Sequence, residues 1–233
     1  MKKIVVCIIY ISIIMTTNLL LNGCNNKSIE NNQYIKYELK EEKVKPVFVH
    51  SEIPVHIKEI MIGKSMPELS NIAFEDLAYI KLTHYGFDEK IHVGEMIVDK
   101  RLAEEVVDIF KELYYKKYPI EKVRLIDEYN ADDNLSMNDN NSSAFCYRKI
   151  KGSNKISNHG KGMAIDINPF QNPHVIGEIT NPVEAYMYSD RSMEDMGIIR
   201  EGDDCYNAFV KRGWSWGGHW NNPDYQHFEK NLD

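Results

Sequence analysis

A chain of 233 residues holds one sizeable domain plus a short additional segment, and leaves little room for a second large domain. At 43% hydrophobic and 27% charged residues it has the composition of an ordinary globular protein once its N-terminus is set aside. Without residues 1–23 the balance is 26 basic against 35 acidic side chains, a net charge of −9; such a surface is repelled by phosphate backbones and excludes nucleic acid as a partner.

In chain order, Lys2 and Lys3 come first, then the almost wholly apolar run Ile4 to Met15, then a polar break at Thr16-Thr17-Asn18. A basic start, an apolar stretch and small residues before a cut make a secretory signal peptide, and the run is short of the roughly 20 residues of a spanning helix. Leu21-Asn22-Gly23-Cys24 resembles the lipobox of bacterial lipoproteins, although Asn22 is not the usual small residue there. The resemblance implies cleavage after residue 23, lipidation of Cys24 and residence on the outer face of the bacterial cell membrane. Two acyl chains make that attachment firm. An uncleaved anchor or plain secretion is the alternative.

Residues 25–45, rich in Asn, Lys and Glu, read as a solvated tether. Residues 46–70 show apolar positions without a period, so residues 24–75 are taken together as an irregular N-terminal segment and 76–233 as the folded domain. Leu77–Tyr85 and Ile91–Val98, joined by Gly86-Phe87-Asp88-Glu89-Lys90, predict a hairpin. Asp99 is expected to cap a helix running to about Lys117, with Leu102, Val106, Phe110 and Leu113 as its core stripe and Pro119 as its stop. A strand around Val123 and Leu125 precedes the polar stretch Asn130 to Ser143. Ala164-Ile165-Asp166-Ile167-Asn168 predicts a short strand stopped by Pro169. Residues 171–202 read as loop, and Asp203–Arg212 as a helix closed by Gly213. Strands and helices without regular alternation give an α+β domain, a small antiparallel sheet flanked by helices.

Cys7 leaves with the signal peptide and Cys24 is the lipidation candidate. Cys146 and Cys205 remain, either as a disulfide or as two free thiols; the absence of a C-x-x-C spacing disfavours thiolate metal sites.

The densest chemical signal is Ser157-Asn158-His159-Gly160-Lys161-Gly162-Met163-Ala164-Ile165-Asp166, followed some sixty residues later by Asp224-Tyr225-Gln226-His227-Phe228-Glu229. Zinc hydrolases need three nitrogen or oxygen ligands and an open fourth position; His159, Asp166 and His227 would supply a His₂Asp set, with Asp224 near enough to reach a water. Spacing alone leaves surface or structural roles open for each. The His-Glu-x-x-His helix of many zinc proteases is absent.

The pattern S-x-H-x-x-G-x-A-x-D followed by an acid-x-x-H resembles the D-alanyl-D-alanine carboxypeptidase and dipeptidase family of zinc peptidases, peptidase family M15, which also contains L-alanyl-D-glutamate endopeptidases. Asn141–Arg148, Ile167-Asn168-Pro169 and Gly213–Gly218 extend the likeness over about residues 75–230. The resemblance implies Zn2+ as cofactor, with His159, Asp166 and His227 as its ligands. It implies Asp224 as the catalytic acid/base and Arg148 facing the oxyanion, and Ser157 is a candidate substrate contact. Arg148 is as readily a surface arginine paired with Asp132 or Asp133, and Ser157, Gly160 and Gly162 as readily ordinary loop residues. Glu229 could orient His227; His219, Trp214 and Trp216 are assigned to packing before substrate. His50, His56, His84, His92 and His174 show no partner pattern. The implied activity is a monomeric D,D-carboxypeptidase acting on peptidoglycan stem peptides. The alternatives are an L-alanyl-D-glutamate endopeptidase, or a non-catalytic lipoprotein that binds wall peptides.

Overall fold

The computed structural model describes residues 45–150 and 152–232; the expected signal peptide, Cys24 and most of the expected tether lie outside them. Three strands form the first sheet: β1 (Phe48–Ser51), β2 (Leu77–Tyr85) and β3 (Ile91–Asp99), all antiparallel in the order β1-β2-β3. The predicted hairpin is in register from Leu77↔Asp99 to Tyr85↔Ile91. Its turn closes through Gly86 N–H to the Lys90 carbonyl at 2.8 Å.

Residues 46–70 differ from the irregular segment expected. They carry β1 and helix α1 (Val55–Met61), whose Ile57 and Met61 pack with Ile53, Met66, Leu77, Ile97 and Phe145 in a core cluster of their own. The packed domain therefore includes residues N-terminal to position 76. The segment gives no clear period because β1 is an edge strand with Val49 exposed, and α1 buries only two side chains.

Helix α2 (Ala103–Tyr115) lays Val106, Ile109, Phe110 and Leu113 against Ile80 and Leu82 of β2. Alternation along β2 makes this possible, since residues two apart share a sheet face. Asp99 does not cap the helix as expected. It ends β3, and its carboxylate accepts the Arg101 backbone N–H (2.9 Å) and the Arg101 guanidinium, tightening the turn before the helix.

Strand β4 (Lys122–Val123) pairs in parallel with β5 (Asn141–Ser142), and between them the polar stretch winds into helix α3 (Asp133–Asn138). The Asp132 carboxylate caps α3 by accepting from the N–H groups of Asn134 and Leu135.

The second sheet takes β6 (Ala164–Asp166), β9 (Ser215–Trp216) and β10 (His227–Glu229) in the order β6-β10-β9. Between β6 and β9 lie the hairpin β7 (His174–Ile176) and β8 (Ile179–Asn181), in a stretch expected to be loop, and helix α4 (Asp204–Val210). Asp203 caps α4 through the Tyr206 N–H at 2.7 Å. Phe228 of β10 stacks on Phe209 of α4 at 4.1 Å, and both belong with Ile165 to the cluster formed by β2, β3 and α2. The architecture is α+β, with two three-stranded antiparallel sheets sharing one core where a single sheet was expected. Cys146 and Cys205 are both buried and free.

Candidate metal centre and cleft

Asp166 and His227 lie directly opposite each other on β6 and β10, so their side chains share one sheet face. His159 comes from the short helical turn that leads into β6, and Gly162 ends that turn at φ +71. A Cβ at Gly162 would sit 2.4 Å from the Asp99 backbone nitrogen; the turn thus presses on β3 as only glycine permits. All three side chains are nearly buried, and their ligating atoms lie within 4.8 Å of one another.

Each imidazole is fixed by a bond on its far side. His159 Nδ1 donates to the Ala144 carbonyl at 2.7 Å, which leaves the Nε2 lone pair facing inward. His227 Nε2 contacts the Glu229 carboxylate at 3.2 Å, which leaves Nδ1 facing inward. Glu229 is held in turn by the Asn158 amide at 2.7 Å. The inward atoms crowd together: His159 Nε2 to His227 Nδ1 is 3.1 Å, His227 Nδ1 to Asp166 Oδ1 is 3.0 Å, and His159 Nε2 to Asp166 Oδ2 is 3.2 Å.

Two lone pairs and a carboxylate at such distances repel unless a positive charge sits among them. Burial alone would raise the Asp166 carboxyl, but the His159 and His227 rings outweigh it and hold it well below the usual carboxylate range. Burial likewise opposes a charged His227, yet Asp166 and Glu229 push it up to about 10. The same negative field suits a divalent cation, and a two-nitrogen, one-oxygen donor set is that of catalytic zinc sites. The residues fit zinc.

Asp224 lines the same cleft as this centre, three residues before His227; its backbone bridges to His174, and its Oδ2 lies 3.8 Å from His174 Nδ1. Its Oδ1 is buried with no hydrogen-bond partner among the described residues. Burial first, then the Asp166 charge, raise its carboxyl above the ordinary range. A buried carboxyl of raised proton affinity in a cleft is suited to general acid–base work.

The centre lies along a cleft of about 1070 Å³ whose lining includes Arg148, Ser157, Trp220 and Gln226. Arg148 pairs with Asp133 at 2.9 Å, one of its two expected surface partners, and still lines the cleft. Ser157 also lines it, and its Oγ accepts the His159 N–H at 3.2 Å, so it shapes the ligand turn. The Gly160 position meets the Arg148 backbone, at 3.0 Å from a Cβ placed there. Trp214 and Trp216 are buried in the core, with their ring N–H groups on Glu105 and the Tyr225 carbonyl. His219 faces Glu201 at 3.5 Å, outside the cleft lining. His174 carried no sequence signal, because its approach to Asp224 depends on backbone pairing across fifty residues.

Residues 151–230 match the family described as D-alanyl-D-alanine carboxypeptidase. The match spans about a third of the chain. It contains His159, Asp166, Asp224 and His227, and stops short of Arg148. No curated protein and no solved structure matches the chain.

Proposed function

We propose that this chain is a zinc peptidase that hydrolyses D-alanyl-D-alanine-type bonds in peptidoglycan stem peptides. The observation that carries the reading is the meeting of His159, Asp166 and His227 in one cleft with Asp224, all within the segment that matches a peptidase family. His159 Nε2, Asp166 and His227 Nδ1 would hold the ion. Zinc bound there supplies a Lewis acid for the peptide carbonyl and lowers the pKa of water toward 7.

The chain's own groups do the rest. Asp224 takes the proton of the attacking water and returns it to the departing nitrogen. Arg148, steadied by Asp133 on the cleft wall, offers guanidinium N–H groups to the carbonyl oxygen as it gains negative charge. Near burial of the ligands keeps bulk water from competing for these interactions.

Metal analysis combined with digestion of defined muropeptides tests the reading. One zinc per chain and release of free D-alanine from a pentapeptide, leaving an intact tetrapeptide, are expected. Cleavage between L-alanine and D-glutamate would move the activity to the endopeptidase branch. Stoichiometric zinc with no cleavage at high enzyme loading would leave a binding protein.

The reading extends to location: the lipobox-like Leu21-Asn22-Gly23-Cys24 supports cleavage before Cys24 and lipid anchoring on the outer face of the bacterial cell membrane. Cys24→Ala should shift the protein from the membrane fraction to the medium. An unchanged membrane fraction would refute lipidation as the anchor.

A further inference from the structure

The cleft is lined by four acidic side chains and four lysines and arginines, but their pairing is uneven. Three of the acidic groups are engaged, Asp133 by Arg148, Asp166 by the two imidazoles, and Glu229 by His227 and Asn158, while Asp224 stands 3.8 Å from His174. Lys149, Lys155 and Lys161 line the same cleft. Lys149 and Lys161 donate only to neutral amide oxygens, of Asn154 at 3.3 Å and Asn158 at 3.5 Å. Among the described residues none of the three lysines forms a salt bridge. A chain of net charge −9 beyond its signal peptide thus gathers three uncompensated ammonium groups at one cleft. Exposed Ile176 and Trp220 also line it, and the Trp220 ring lies 5.2 Å from that of His227.

Apolar surface and unpaired positive charge in one cleft suit a ligand with apolar groups and a free carboxylate. Charge gathered this way raises the local concentration of anions and selects among them. We propose that Lys149, Lys155 and Lys161 form a subsite for an internal carboxylate of the stem peptide, carried by a residue other than the departing one. The cleft therefore prefers free-acid peptides to their amidated forms. The inference rests on the peptidase reading above and adds which stem peptides are taken.

The test uses two synthetic stem peptides that differ only in an internal carboxylate or carboxamide, both with a free C-terminus. Wild-type enzyme should favour the acid by about 3- to 100-fold in kcat/KM, the range for three partly exposed charge contacts. The difference should lie in KM and shrink as salt is raised. A Lys149→Gln, Lys155→Gln, Lys161→Gln triple variant should lose the preference while keeping its zinc and its rate on the amide. Lys81→Gln and Lys111→Gln, away from the cleft, should keep it. Equal wild-type rates on the two peptides, or a triple variant slowed equally on both, would overturn the subsite. Calorimetric binding to Asp224→Asn separates this from the parent reading. Tighter binding of the acid there, without hydrolysis by wild type, would uphold the subsite and reject the peptidase.

Discussion

Glu229 offers the most direct measure of how the proposed zinc ligands are held. Its carboxylate sits 3.2 Å from His227 Nε2 and 2.7 Å from the Asn158 amide, so it fixes both the tautomer and the tilt of the ring that turns Nδ1 inward. Loss of such an outer partner weakens metal binding by about 10- to 100-fold, or about 1.4–2.7 kcal/mol. Glu229→Ala removes charge and acceptor together and should fall in the upper part of that range. Glu229→Gln keeps an oxygen able to accept from Nε2 and should fall in the lower part. Competition with a chromophoric chelator at neutral pH reads zinc affinity directly, and activity at saturating zinc shows whether the loss is one of occupancy. Wild-type affinity in Glu229→Ala would refute the reasoning. So would unchanged affinity with activity lost at saturating zinc, because Glu229 would then act on substrate.

Asp224→Asn should abolish hydrolysis while zinc content stays near wild type, as read by metal analysis; parallel loss of zinc would make Asp224 a ligand. His159→Ala should lose metal and activity together. Phe228→Ala, which empties a fully buried position stacked on Phe209, should destabilise the fold by about 3–5 kcal/mol in urea unfolding. His84, buried on β2 with its Nδ1 2.9 Å from the Ile120 carbonyl, has its pKa lowered to about 4, chiefly by burial. Its folded-state pKa lies below the unfolded value of about 6.5, so the unfolded chain takes the proton first as pH falls. The contribution is present at pH 7 and is lost between about pH 6.5 and 4, to a limit of about 3 kcal/mol. His84→Asn should remove that component from the pH dependence of unfolding, and an identical pH profile in the variant would count against it.

How much was legible differs from element to element for physical reasons. The β2–β3 hairpin and α2 carry two uninterrupted periodicities, and Asp203 before α4 is a side chain with one obvious local job. Asp99 misled because an acid before a helix has two ways to bond, and here the neighbouring Arg101 and its N–H took the carboxylate. β1 and α1 escaped notice because an edge strand and a two-turn helix bury too few side chains to leave a pattern. At the centre, the chemical types of His159, Asp166, His227 and Asp224 drew attention within one dense stretch and one short return. The Ala144 carbonyl and His174 could not be found in that way. A backbone carbonyl has no letter of its own, and His174 meets Asp224 only after the intervening chain has turned back.

Asp166 and His227 occupy a single rung of the ladder, with sixty residues of chain between them. Everything from 167 to 226 is therefore an excursion that departs from and comes home to the same point. Its outermost part, the hairpin from His174 to Asn181, forms a wall of the cleft without holding the rung together. Lengthening or trading the tip of that hairpin would redraw which molecules fit while the anchoring pair stayed in place. A fold wired like this can acquire new tastes without having to reinvent its chemistry.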